Sequence, residues 1–258
     1  MHISSRTRPG SEEAITGHRE QETCGILANA PSGAPVTKNY FQSLFSTPDA
    51  NLYGWSPLHV YPSGAELFRQ NDPATQIYFI ERGMVKLSCA GPGGEEVITS
   101  LRRRNWLLGV TQVIVDNVYS ATATTLTRCT MRWISARAFV GQLTTDIALS
   151  VELNRMLSRE IRGNIEKIVT LGCMSASERL RHFLRELISE EDLDELGKKG
   201  RLELPLRSCE LAEIVAVTPQ HLYRLLKAPE LRTHLKQSKK ILTIVDPLAF
   251  MHGGSSES

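Results

Sequence analysis

Between Phe139 and Leu171 the chain runs without a proline, and Ile147, Val151, Asn154, Ser158, Ile161, Ile165 and Ile168 recur at alternating steps of four and three. Such steps keep side chains on one face of a helix. The spacing predicts one long helix carrying a coiled-coil-like stripe, five of its seven positions apolar. A second copy of the chain is the preferred cover for the stripe, and packing on the chain's own upstream module is the alternative. Asn154 and Ser158 would fix the register of a dimer or point towards a ligand.

This helix separates two different patterns. Upstream, from Leu58 to Phe139, short β-branched and aromatic runs alternate with turn residues. The runs are Gln76–Ile80, Met84–Cys89, Glu96–Leu101, Ala121–Leu126 and Thr130–Ile134, with Gly83 and the Gly91–Gly94 turn as breaks. Many short strands in series predict a barrel or jelly-roll. Residues 1 to 40, rich in Gly, Ser, Pro and charge, read as a disordered tail, and Tyr40–Phe45 as a short helix. Downstream, a helix over Ser177–Leu196 and a turn at Lys198–Gly200 lead into Leu206–Lys227.

That last segment has the pattern of a helix-turn-helix. Leu211, Ile214 and Val215 form one apolar stripe; Leu222, Leu225 and Leu226 form a second. Ala212 is small where the helices must approach. Thr218 and Pro219 suit the start of the second helix, a hydroxyl for the free amides followed by a residue lacking an N–H. Gln220, His221, Arg224 and Lys227 then fall on its solvent face, where Gln and Arg read base edges and Lys meets phosphate. Lys240–Val245 is a late strand that suits a winged version of the motif. The expected fold class is therefore α+β: a double-stranded β-helix (jelly-roll) over 41–140, a dimerisation helix over 141–172 and a winged helix-turn-helix over 173–250, with a second tail over 251–258.

The 258-residue chain is nearly neutral, 30 basic against 28 acidic side chains, so the distribution of charge says more than the total. Arg224, Lys227, Arg232, Lys236, Lys239 and Lys240 crowd one stretch opposed only by Glu230, as phosphate contact requires. The acidic run from Glu186 to Glu195 reads as a solvated face. The five cysteines form no C-x-x-C pair and the seven histidines no metal-ligand spacing, so neither a metal centre nor a metal enzyme is expected. No apolar run reaches the ~18 residues a membrane span needs, and the opening residues lack a signal peptide's core. The expectation is a cytoplasmic protein that does not engage a membrane.

The order of these parts resembles the Crp/Fnr family of bacterial transcription regulators, over roughly Leu44 to Leu248. Tyr61–Phe68 resembles the family's Pro-x-Gly strand and turn, and Gln76–Leu87 its strand-Gly-strand signature. Ser175–Leu187 resembles the helix opening the DNA-binding domain, and Ile244–Leu248 the end of the wing. The resemblance implies a homodimer on palindromic double-stranded DNA, two recognition helices about 34 Å apart, no catalysis, and RNA polymerase as a further partner. Carried over by motif, Pro219–Ala228 is the recognition helix. Gln220 and Arg224 are its base readers, Arg224 paired to a guanine, and Thr218, His221, Lys227, Lys239 and Lys240 are further DNA contacts. Ala216 stands where glycine is usual, and Pro229 ends the helix early.

The sensor departs from the family's cyclic-nucleotide pattern. Gly109, Ser120 and Ala121 are in place, but Val110 replaces the ribose-binding glutamate and Tyr119 the phosphate-binding arginine. A buried phosphate without its cation is an uncompensated charge, so cyclic AMP is not the expected effector. No cofactor is predicted and the effector is unknown. Any pocket would be lined by Val110, Tyr119, Ser120, Asn164 and Ile165, unless side chains simply fill it. Cys24 is alone where oxygen-sensing relatives carry a cysteine cluster, and His59 is the residue to watch for haem. Two other classes are a regulatory module acting through a protein partner with a degenerate helix-turn-helix, and a cupin-like metal enzyme.

Overall fold

The computed structural model describes residues 40–45, 54–91, 94, 96–115, 117–189 and 200–252. Most of the expected first tail, Cys24, and residues 253–258 lie outside them. The strands β1 (His59–Tyr61), β8 (Cys129–Ser135), β3 (Gln76–Arg82) and β6 (Trp106–Leu108) pair in that spatial order into one antiparallel sheet. A second antiparallel sheet holds β2 (Glu66–Phe68), β7 (Thr122–Thr125), β4 (Val85–Ala90) and β5 (Glu96–Arg102). Together they form the expected jelly-roll.

Burial decides the details. In β3, Ile77, Tyr78, Phe79 and Ile80 are all buried, so the strand reads as an apolar run rather than an alternation. Gly83, at the β3–β4 turn, has φ +103°, and a Cβ there would sit 2.9 Å from the Arg128 carbonyl and closer still to Cys129 Sγ. Only glycine fits that turn. The helix α1 (Tyr40–Phe45) covers one end: Phe41 is fully buried, its ring 4.8 Å from Phe79 and 6.0 Å from Trp55. A further short helix, α2 (Val110–Val115), follows β6 and buries Val110 and Val113.

The long helix differs from expectation. It is two helices, α3 (Ala136–Thr145) and α4 (Ile147–Cys173), divided at Asp146, which is extended at ψ 98°. The expected boundary at 141 therefore falls inside α3. The cause is local side-chain competition with the helix ladder. The Thr144 and Thr145 hydroxyls donate back to the Gly141 carbonyl, and Asp146 accepts from the Leu149 N–H at 2.9 Å to cap α4. The Tyr40 hydroxyl donates to the other carboxylate oxygen and holds Asp146 below the usual carboxylate range.

On α4, Leu149, Leu153 and Met156 are buried on the roll side. Ile147, Val151, Asn154, Ser158, Ile161, Ile165 and Ile168 are all exposed, Ile147 to 80% and Ile168 to 70%. Among the described residues, none of these seven positions is buried against the roll.

The remaining elements are α5 (Ala176–Ser189), β9 (Arg201–Leu204), α6 (Ser208–Ile214), α7 (Pro219–Lys227), α8 (Pro229–Arg232), β10 (Leu235–Gln237), β11 (Leu242–Val245) and α9 (Pro247–His252). The helix expected to reach Leu196 is described as far as Ser189, and α9 runs past the expected boundary at 250. Leu180, Leu184, Leu187 and Ile188 of α5 line one face at helical spacing and pack with Leu211, Leu222, Leu242 and Ile244. The sheet order β10-β11-β9 gives the wing. Met84 of the roll is buried in this second core, with Leu101 and Leu126 packed against it. A buried ion pair joins the same two parts, Lys86 Nζ to Glu210 Oε1 at 3.3 Å, with Glu96 2.9 Å from the same ammonium. Arg207 binds Glu210 through its guanidinium at 3.0 Å and its backbone N–H at 2.9 Å.

Candidate nucleic-acid interface

The turn between α6 and α7 is held by two crossed backbone bonds. The Val217 N–H reaches the Ala212 carbonyl at 2.9 Å, and the Ala216 N–H reaches Glu213 at 3.0 Å. This is the double-bonded helix ending that favours glycine at its left-handed position. Here that position is Ala216, at φ +56°. A Cβ in that region costs about 1–2 kcal/mol. Thr218 caps α7 by accepting from the His221 N–H at 3.2 Å, with Pro219 at the first helical position.

An arginine on α5 braces the turn from behind. Arg179 Nε donates to the Val215 carbonyl at 2.8 Å, and one Nη donates to Ala216 at 3.2 Å. The other Nη donates to Met174, at the end of α4, at 2.8 Å. One side chain thus ties the long helix to the helix-turn-helix. Sequence reasoning missed Arg179. The available signal was an arginine on the amphipathic helix preceding the motif, a residue whose planar donors suit several acceptors at once.

Thr218, Gln220, His221, Arg224 and Lys227 are all exposed on or at the start of α7. Arg224 and Lys227 lie in its last turn, where cations complement the helix dipole. Lys239 and Lys240 form the exposed tip of the β10–β11 hairpin, whose turn is closed by bonds between Ser238 and Ile241. These are two clusters, one on the helix and one on the wing, with β10 packed beside α7. Tyr223, 59% exposed on α7 with Lys227 Nζ 4.2 Å from its ring centre, was also missed. An aromatic residue outside the Leu222/Leu225/Leu226 stripe is the signal that marks it.

The five expected pocket residues are not brought together as a lining. Tyr119 is 3% exposed, its ring stacked on Phe68 at 3.8 Å between centres and 12° between planes. Its hydroxyl donates to the Gln76 carbonyl at 2.7 Å and accepts from the Gln76 N–H at 3.2 Å. A Cβ on Gly109 would come within 2.9 Å of this ring. Burial pushes the Tyr119 phenol up, and drives Tyr78 to about 12, Tyr61 and Tyr119 adding to the latter. Val110 is 5% exposed, whereas the Ser120 hydroxyl accepts from Gln112 at the surface, 2.8 Å away. Asn164 and Ile165 are exposed on α4, and Asn164 lines a cavity in which Val110, Tyr119 and Ser120 take no part. His59 is exposed, 6.3 Å from the Trp133 ring.

A jelly-roll, a capped long helix and a winged helix-turn-helix with an exposed basic face define a regulator-type architecture. Residues 58–146 match the model of the cyclic nucleotide-binding domain. The global nitrogen regulator of Synechocystis sp. is 30% identical over 190 residues, 71% of this chain and 82% of the relative. The cAMP-activated global transcriptional regulator CRP of Salmonella typhimurium is 22% identical over 174 residues, 67% of this chain and 82% of the relative. A solved CRP-family transcriptional regulator from Thermus thermophilus superposes with a TM-score of 0.61 at 15% identity, covering 77% of this chain and 97% of that one. The chain belongs to the Crp/Fnr family of transcription regulators. Among the described residues no helix is long and apolar enough to cross a membrane.

Proposed function

We propose that the chain is a homodimeric, sequence-specific DNA-binding regulator that acts in the cytoplasm without cyclic AMP. The observation that carries this reading is α7, a Thr-capped helix with Gln220, His221, Arg224 and Lys227 exposed together on a turn braced by Arg179. Such an intact turn weighs for DNA readout and against a degenerate motif serving a protein partner. Arg224 and Gln220 read base edges, Arg224 in a bidentate pair with guanine. Thr218, His221 and Lys227 contact the same half-site, and the wing lysines Lys239 and Lys240 hold phosphates. The exposed α4 stripe is the dimer contact, and RNA polymerase is the further partner carried over from the family.

The roll interior supports the reading that cyclic AMP is not the effector. Where the phosphate's cation would stand, the Tyr119 ring lies against Phe68, and Val110 supplies no acceptor for a ribose. The test is selection of bound duplexes from a randomised pool by the purified full chain, with and without cyclic AMP. A palindromic site enriched equally in both arms is the expected result. Enrichment only with cyclic AMP would overturn the effector reading, and no enrichment in either arm would overturn sequence-specific readout.

A further inference from the structure

Among the described residues every phenylalanine, tryptophan and tyrosine is buried or half-buried except one. The exception is Tyr223, 59% exposed on α7. Its place on the helix says which way it faces. Leu222 is fully buried, and Leu225 and Leu226 pack against the second core, so these three take the inward side of α7. Tyr223 stands three residues after Gln220, next to Arg224 and four before Lys227. That spacing puts it beside the exposed polar residues rather than the leucines. The Lys227 ammonium lies 4.2 Å from the ring centre, a cation held on the π face.

We infer that Tyr223 reads sequence, its ring packing on the 5-methyl group of a thymine beside the guanine that Arg224 meets. The inference rests on the DNA reading of α7 proposed above and adds a base to it. In the major groove thymine alone offers a methyl group, and an apolar surface is what recognises it. Gln220 and Arg224 supply hydrogen bonds, which leave that methyl unread. The ring supplies apolar area on the same side of the same helix, and no core claims it. Lys227, one turn further along and resting on the ring, stands ready for a phosphate at the groove's edge. The pair thus divides its work: the ring takes the base and the ammonium takes the backbone.

The test uses the purified full chain and the duplex it selects from a randomised pool. Thymines of one half-site are replaced singly by deoxyuridine, which pairs as thymine does and lacks only the methyl. The parent should lose about fourfold in affinity at one thymine, the worth of one methyl taken out of water. Tyr223→Phe, which keeps the ring, should lose as much at the same position. Tyr223→Ala should bind the thymine and uracil duplexes alike, with the parent's salt slope, because phosphate contacts are retained. A purely structural role for the ring would instead weaken both duplexes equally and leave the methyl sensitivity in place, which would overturn the inference. A selected site at which the parent shows no sensitive thymine would also overturn it, while leaving DNA readout by α7 standing. Failure to select any duplex would overturn both.

Discussion

Ala216 holds a left-handed backbone that its Cβ disfavours, while both bonds of the turn are made. Ala216→Gly relieves that strain, offset in part by the greater freedom of glycine in the unfolded chain, and should stabilise the protein by about 0.5–1 kcal/mol in urea titration. Arg224 is exposed and free to meet a base edge without rearranging a core. Its replacement by alanine should weaken binding to the selected site by about 1–3 kcal/mol and relax preference at one base pair per half-site. Equal weakening on random duplex would instead place it on phosphate. Tyr119→Phe strands the Gln76 carbonyl, and about 1–3 kcal/mol of stability should go with the hydroxyl.

Among the elements, α4 carries the firmest expectation. On the proposed dimeric reading, a pair of like-charged substitutions on its uncovered stripe, Ile161→Glu with Ile165→Glu, should turn the sedimenting species from dimer to monomer while leaving the far-ultraviolet helix signal of each chain intact. A sedimentation coefficient unchanged by the pair would move the dimer contact elsewhere. The stripe was legible because its period is local. So were β3, β4, β5, β7 and β8, whose runs supply several residues of pattern each, and α7, whose cap and proline mark its start. The three-residue strands β1, β6 and β10 were not, because too few residues stand in each to show alternation. The division at Asp146 was overlooked although Thr144, Thr145 and Asp146 spell it, since a continuing apolar stripe outweighed a capping signal. The exposure of Gln220, His221, Arg224 and Lys227, proposed as DNA contacts, was legible from their polar positions on a helix. The role of Arg179 was not, because its acceptors are backbone carbonyls, Met174 nearby and Val215 and Ala216 far along the chain, and a side-chain pattern does not record them.

For the molecule as a whole, the tie between roll and helix-turn-helix unit combines the apolar contact of Met84 with one buried cation meeting one buried anion. Burial alone would raise Glu210, but the Arg207 side chain and backbone and the Lys86 charge outweigh it and hold its carboxyl below the usual range. A carboxyl depressed in the folded state stabilises the fold above its unfolded value, near 4.3, and that contribution disappears as pH falls through the folded value. The stability difference between the parent and Glu210→Gln should therefore be constant above about pH 5 and shrink in acid. A difference that grows in acid would reverse the assignment. Lys86→Met keeps the buried stem but leaves Glu210 with Arg207 alone. It should destabilise by about 2 kcal/mol, below the ~3–5 kcal/mol of a fully abandoned buried charge.

The Tyr119 ring, seated between Phe68 and the bare backbone of Gly109, can be regarded as a ligand that the chain carries on its own backbone. A diffusing effector occupies its site according to its concentration, and a cell tunes the response by making or destroying it. A tethered ring has an effective concentration fixed by covalent geometry and no dissociation into bulk solution. Under the reading proposed above, the roll's centre has exchanged a variable for a constant: its set point is written in the gene and shifts by mutation rather than by metabolism.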